Sequence, residues 1–407
     1  MNKKLMAAAV MCSLMSTTAL AANPIPTFDK EAVTTHPYNR TGQQEQQVTG
    51  MQGAGELYKP GNTGTEANPA FFVAKVKLTG FTLPDKNGKL VAICKEYEGR
   101  SLQMAELQQL ISRINEYART CGYTVAQAIV PPQEVKQGEL EIAVYVAKYD
   151  DIEIISNESD VADRVLAGYI HKNLQSGAYI MDKPLEMTMN NINDLPGVVA
   201  RAILAPGSKP GTTKVQVQVL RRPVWNNYVF TDNAGGYYSG RYRYGFNTEI
   251  NNPGHQGDKI ILNGMLTNHD TKNYGARYEA PVGRDGTRWG IGWSQSSYDF
   301  YTNSSFNSLG QSRGFSFYGL TPVYRDRMNR VTAIYGYDHR KIKDRLRLAG
   351  IELTTEKMAN VYHAGISGSK YLPNRFSQYS LIYWYGNLSG GGKSIDGDYH
   401  KLTSDLL

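Results

Sequence analysis

From about Arg222 to the C-terminus, apolar and polar residues alternate singly, a period of two that only extended strands can use. Tyr242, Tyr244, Phe246, Thr248 and Ile250 share one parity, against Arg241, Arg243, Gly245, Asn247 and Glu249. Trp289, Ile291 and Trp293 alternate with Gly290, Gly292 and Ser294. Ala276, Tyr278 and Ala280 alternate with Arg277 and Glu279, and Val331, Ala333, Tyr335 and Tyr337 with Thr332, Ile334 and Gly336. Turn chemistry at Asn252-Pro253-Gly254 and Arg284-Asp285-Gly286 separates the runs. Soluble sandwiches and membrane barrels both alternate in this way. These runs reach the roughly 9 to 11 residues a membrane strand needs. The 185 residues after Arg222 also hold 19 of the 28 Tyr and all four Trp, the residues that anchor at a bilayer interface. A transmembrane antiparallel β-barrel is therefore expected over residues 223–407.

The N-terminus sets the compartment. Lys3 and Lys4 precede an uncharged stretch from Leu5 to Leu20, and Ala19-Leu20-Ala21 supplies the small residues a signal peptidase reads. Residues 1–21 are expected to leave as a secretory signal peptide, cleaved between Ala21 and Ala22, taking Cys12 with them. The mature chain then holds Cys94 and Cys121. They lie in a compartment that permits disulfides, without the CxxC spacing of metal or redox sites, and a bridge between them is expected. Residues 22–68 read as a polar linker in which the Gln43–Val48 stretch forms at most a short helix. The net charge of +7 is spread without any long basic run, which argues against nucleic acid as a partner.

Between linker and barrel the pattern predicts two tandem β-α-α-β-β units, over 69–149 and 150–222. In the first, Phe72, Ala74, Val76 and Leu78 mark a strand. Leu102, Leu107, Leu110, Ile111 and Ile114 mark a helix capped by Ser101 and ended by Gly122, and strands follow near Thr124–Val130 and Leu140–Val146. In the second, the order is a strand at Asp151–Ile155, helices over Val161–Lys172 and Pro184–Ile192, then strands at Val198–Leu204 and Val215–Val219. Units this small and mixed suit docking. The grooves beside the helices, including Ile111 and Ile114, are the expected cargo contacts.

Three groups of short motifs resemble the outer-membrane transporters of two-partner secretion, the haemolysin and filamentous-haemagglutinin secretion type. Gly122-Tyr123-Thr124, Pro131-Pro132-Gln133 and Gly138-Glu139-Leu140 look like the family's first POTRA domain. Leu195-Pro196-Gly197-Val198 and Ala205-Pro206-Gly207 look like its ShlB-type POTRA domain. Asp232-Asn233-Ala234-Gly235, Gly240-Arg241-Tyr242, Asn251-Asn252-Pro253-Gly254 and Gly257-Asp258 look like the start of its barrel. The glycines and prolines of these motifs read as turn architecture. The resemblance implies two periplasmic POTRA domains that take an unfolded exoprotein by β-augmentation, and a barrel through which it leaves. The implied partners are a large β-helical haemolysin, adhesin or toxin, outer-membrane lipid and the barrel-assembly machinery, with no cofactor. A plug helix is implied near Gln43. Against the sixteen-stranded barrel of the family, 185 residues allow roughly nine strands at about 20 residues per strand and loop. The sequence is therefore expected to be a C-terminally truncated fragment.

Two other classes fit less well. An outer-membrane assembly insertase shares the architecture but lacks the second-unit Leu195–Val198 and Pro206-Gly207 signatures. A secreted carbohydrate-binding β protein would use the Tyr and Trp clusters as a sugar platform. For an enzyme, the seven His at 36, 171, 255, 269, 339, 363 and 400 are scattered, with no HExxH, GxSxG or Walker loop. Asp85-Lys86-Asn87-Gly88 reads as a turn rather than a calcium loop.

Overall fold

The computed structural model describes residues 70–407 apart from 237–239, 304–305, 327, 349–350, 373–374 and 391–395. The expected signal peptide, its expected cleavage between Ala21 and Ala22 and the polar segment with its Gln-rich stretch lie outside the described residues.

The first unit runs β1 (Phe71–Val73), β2 (Lys75–Gly80), α1 (Lys89–Lys95), β3 (Arg100–Leu102), α2 (Met104–Thr120), β4 (Ala126–Ile129) and β5 (Glu139–Val146). Its sheet has the order β2-β5-β4, with β5 in the middle, parallel to β2 and antiparallel to β4. Leu107, Leu110, Ile114 and Ala118 form the buried stripe of α2 and pack on Val76, Ala128, Leu140, Ile142 and Val144. Each fully buried Leu or Ile of this kind contributes about 1.5–3 kcal/mol.

Two expectations fail here. The alternation through Phe72 and Ala74 does not continue: Ala74 breaks the strand by donating its N–H to the Gly138 carbonyl at 2.8 Å, so Val73 and Val76 face the core while Phe72 is exposed. Ser101 does not cap the helix, because Arg100–Leu102 pairs with Phe71–Val73 as a small sheet. The cap is Gln103, in a reciprocal box with Glu106, whose carboxylate accepts the Gln103 N–H at 2.9 Å. Gly122 ends the helix as expected, at φ +90°.

The second unit runs β6 (Lys148–Asn157), α3 (Asp163–Asn173), α4 (Asp182–Asn193), β7 (Val198–Pro206) and β8 (Thr212–Arg221), with sheet order β6-β8-β7. Leu166, Tyr169 and Ile170 of α3 and Leu185 and Ile192 of α4 close over Val198, Ala200, Ala202, Val215, Val217 and Val219. Both units pin helix to edge strand with a side-chain amide. The Asn115 oxygen accepts the Ala128 N–H at 2.6 Å, and the Asn193 oxygen accepts that of Ala200 at 2.7 Å.

Strands β9 (Trp225–Asp232), β10 (Arg243–Asn251), β11 (Lys259–Thr267), β12 (Lys272–Pro281), β13 (Arg288–Asn303), β14 (Phe306–Arg325), β15 (Asn329–Leu348), β16 (Ile351–Leu372), β17 (Arg375–Ser389) and β18 (Gly397–Leu406) form one antiparallel meander. Ten strands stand where about nine were expected, because the hairpins are tighter than the assumed spacing. The register between β14 and β15 slips between Pro322 and Tyr324, where proline cannot donate to the ladder.

The two faces divide as the alternation predicts. Tyr244, Phe246, Trp289, Ile291, Trp293, Phe315, Phe317, Tyr335, Tyr362, Tyr383 and Tyr385 are exposed on the outer face. The inner face carries Glu279, Tyr318, Asp338, Lys357 and His363, all buried. There the Tyr318 hydroxyl donates to Glu279 at 2.7 Å, and His363 lies 3.3 Å from Asp338. An apolar aromatic exterior around a polar interior is a membrane barrel wall, the inverse of a soluble sheet. Among the described residues no helix is long and apolar enough to cross a membrane.

Candidate functional site

The end of the sheet from which β9 departs carries the hairpin turns nearest the second unit, and three of them meet it. The first joins β10 to β11. Asn252 (φ +59°) accepts the Gly257 N–H through its side chain at 2.6 Å, and its own N–H donates to the Asp258 carbonyl at 2.6 Å. The buried Asp258 carboxylate accepts the Gly254 N–H at 3.0 Å. This closed turn holds out His255, whose carbonyl accepts the Ala162 N–H at 3.0 Å and whose Nδ1 donates to the Asp160 carbonyl at 2.8 Å. Gly257 is required by close approach: at φ +79°, a Cβ would stand 2.7 Å from Leu195 Cδ2.

The second turn joins β12 to β13. Its Arg284 guanidinium lies over Gly168 of α3, and Gly286 (φ +90°) faces the Asn191 side chain. Tyr169, on the same helix, has its phenol pushed up by burial, an effect that Arg288 and Arg284 of this hairpin oppose and Asp285 reinforces.

The third turn joins β14 to β15. Arg325 makes a two-pronged pair with Asp194, one contact at 2.7 Å, and Arg330 stands 3.8 Å from the same carboxylate. Asp326 shapes this turn. Burial alone would raise its carboxyl, but hydrogen bonds from the Asn329 side chain, the Tyr324 hydroxyl and the Met328 and Asn329 N–H groups bring it down to about 2.

The signature residues therefore do more than turn the chain. Leu195 is buried under the β10–β11 turn. Pro196 follows it, and Gly197, at φ +79°, accepts the Arg222 N–H on its carbonyl at 2.9 Å and packs beside Asn251. Gly122 and Tyr123 lie at the joint between the two units: the Gly122 carbonyl accepts the Asp182 N–H at 2.9 Å, and Phe81 stacks edge-on against Tyr123 and Tyr179. Gln133 clamps β5, donating to the Glu141 carbonyl at 2.6 Å and accepting its N–H at 2.9 Å. Pro206 and Gly207 close the β7–β8 hairpin, where the Gly207 N–H donates to the Thr212 carbonyl at 3.0 Å.

Two site expectations are corrected. Ile114 is 0% exposed and Ile111 packs partly buried on the same core, so Ile114 cannot meet a cargo. Cys94 and Cys121 are free thiols. Cys94 is packed into the core of the first unit, whereas the Cys121 thiol is turned to the Pro84 carbonyl at 3.7 Å. Sequence reasoning missed Asp194, His255, Arg284 and Arg325. Their only local signal is a charged or His residue inside or beside a Gly or Pro turn.

A polar-lined β-wall with an α/β unit seated on its turns defines a POTRA-bearing outer-membrane β-barrel protein, its POTRA units periplasmic. The model of the ShlB-type POTRA domain matches residues 71–146, the first unit, not the second to which the motifs had assigned that label. The model of haemolysin secretion/activation protein ShlB/FhaC/HecB matches residues 211–390. The two matched segments, 71–146 and 211–390, are thus of the haemolysin secretion/activation type. It is 28% identical over 362 residues to the heme/hemopexin transporter protein HuxB of Haemophilus influenzae, covering 86% of this chain and 63% of HuxB. With the outer membrane transporter CdiB of Dickeya dadantii it shares 21% identity, covering 82% of this chain and 61% of that one. CdiB from Escherichia coli has a similar fold, at a TM-score of 0.64 and 18% identity, covering 95% of this chain and 74% of the other.

Proposed function

We propose that this chain is the capture and conduit part of an exporter, which takes an unfolded exoprotein from the periplasm on its POTRA units and passes it along the polar face of the barrel wall. In this reading residues 1–21 are a leader and 22–68 a polar segment. Residues 69–149 and 150–222 are the two POTRA units, and 223–407 belong to the barrel. Outer-membrane lipid surrounds the wall and the barrel-assembly machinery inserts it.

One observation carries the reading: β7 is an edge strand that starts at the rim. Val198 follows Gly197, which packs beside Asn251 of the wall, and β7 has β8 on one side and no strand on the other among the described residues. An extended polypeptide added to such an edge gains main-chain hydrogen bonds independent of its sequence, which suits an unfolded client. The inner face beyond the rim offers charged and hydroxyl groups such as Glu279, Tyr318, Asp338 and Lys357, with an apolar cluster of Ile334, Val361, Ile382 and Trp384 beside them.

A photo-crosslinker placed at Arg201 or Ile203 of β7 tests this in cells. The expected product joins the protein to a large polypeptide that also accumulates in the medium, and a crosslinker at the central Val217 gives none. Absence of any β7 product during active export would refute capture at this edge.

A further inference from the structure

The POTRA-bearing end of the sheet is periplasmic, so the opposite ends of β13 to β16 point outward from the cell. On the outer face the aromatic girdle ends there at Trp293 and its register partner Phe315, and at Tyr337 and its register partner Tyr362, Phe317 being the β14 partner of Tyr337. Beyond the girdle the same face changes character. Arg313 pairs in register with Lys341, Gln311 with Lys343 and Leu309 with Arg345, and Arg347 follows. Lys272 joins them from β12, opposite Ser297. Among the described side chains of this face, six cations stand beside only Asp270, Glu352 and Glu356. Glu356 accepts from Lys343 at 2.5 Å and Glu352 from Arg347 at 3.2 Å. Asp270 sits 3.7 Å from Lys272. A cleft of about 280 Å³ opens among them, lined by Asp270, Ser297, Gln311, Lys343 and Arg345.

A lysine or arginine in register at a membrane strand is costly in hydrocarbon, so a cluster of them fixes where the hydrocarbon stops. Lys341 lies two residues past His339, the partner of Phe315, and Arg345 four residues further on. At about 3.3 Å per residue and the usual strand tilt, these side chains occupy roughly the first 5 to 15 Å above the girdle, the depth of lipid headgroups. Lysine ammoniums and arginine forks are the donors that phosphate oxygens take, and Lys343 keeps two of its three donors beyond the one given to Glu356.

We infer that this outward basic patch, with the cleft at Lys343 and Arg345 and the Arg313–Lys341 pair alongside on the same face, binds the phosphorylated headgroup of an outer-leaflet glycolipid whose acyl chains lie on the aromatic band below. The inference rests on the membrane-barrel reading of the wall and goes beyond the export role.

The test uses the full chain purified in detergent, with diphosphoryl lipid A as the probe and native mass spectrometry as the readout. Dephosphorylated lipid A and inorganic pyrophosphate serve as comparisons. Retained diphosphoryl lipid A adducts are expected, weaker by about tenfold in Lys343→Gln/Arg345→Gln and preserved in Lys343→Arg/Arg345→Lys, since each cation at an anionic surface contributes several-fold. Equal retention of the dephosphorylated lipid would overturn the phosphate site. Full displacement by equimolar pyrophosphate would overturn the lipid source. Membrane fractions washed in urea separate the two readings. Protein released by urea sinks the embedded wall itself, while embedded protein indifferent to phosphate sinks only the lipid site.

Discussion

Asp194→Ala removes the carboxylate that both prongs of Arg325 address, leaving a guanidinium whose side chain is 8% exposed. Truncating one partner of a fully buried pair costs about 3–5 kcal/mol, and an exposed pair is worth about 0–1 kcal/mol. Asp194 is 36% exposed, so solvent screens part of the interaction, and about 2 kcal/mol is the expected cost. Seating of the second unit on the wall weakens by that amount, roughly a thirtyfold shift in the seated-to-released ratio. The Ala162 amide reports it, because its N–H donates to the His255 carbonyl across the joint. Hydrogen exchange at Ala162 should accelerate about thirtyfold in Asp194→Ala, while Leu166, in the core of the unit, keeps its rate. Arg325→Ala should do less, because Asp194 regains water. The double variant should fall short of the two effects added, by a coupling of about 1 kcal/mol or more. Unchanged exchange at Ala162 in Asp194→Ala, or strict additivity, would show that the pair does not hold the units together.

Three further outcomes follow from the same geometry. Ile291→Lys places a cation at the centre of the outer band between Trp289 and Trp293 and should lower the yield of heat-modifiable, membrane-inserted protein, at a cost of about 2–4 kcal/mol, while Ser296→Lys on the inner face inserts normally. Equal effects would contradict the assignment of faces. Cys121 should react with maleimide at neutral pH and Cys94 should not, because burial first, then Glu98 and Asp85, push the Cys94 thiol up to about 11. With the folded value above the unfolded one near 9, the stability this thiol contributes is complete below about pH 9 and drains away as pH rises through 11. A Cys94–Cys121 linked peptide in non-reducing mass mapping would instead restore the disulfide. Gln133→Ala removes both bonds to the Glu141 backbone and should destabilise the first unit by about 2 kcal/mol in urea titration, an unchanged midpoint being the contrary result.

The wall was legible because period two is written in every strand: Trp289, Ile291 and Trp293 face outward as their parity requires. The helices were legible from Leu107, Leu110 and Ile114, but that same burial disqualifies Ile114 as a contact. A buried stripe and a docking groove share one apolar pattern, and only the fold tells them apart. Ala74 and Ser101 misled because their neighbours are apolar at the expected spacing while a remote carbonyl, Gly138, and a remote strand, β1, claim their backbone. The joint was hidden for a similar reason. Asp194 and Arg325 are 131 residues apart, and nothing local in either segment announces the other. The parallel pairings of β2 with β5 and β6 with β8 are equally silent in the sequence, because they depend on helices crossing between them.

The length of β16 has a consequence for what happens outside the cell. Its 22 residues extend about 70 Å, or about 50–55 Å along the axis at the usual tilt, against a hydrocarbon band of about 25 Å. The hairpins of β14 to β16 thus rise as a parapet, on the order of 25 Å high, on the cell's outer side. Under the export role proposed above, a polypeptide leaving behind such a parapet would be released above the lipid rather than onto it. Its apolar stretches then meet one another before they meet acyl chains, and collapse into their own fold competes with no bilayer.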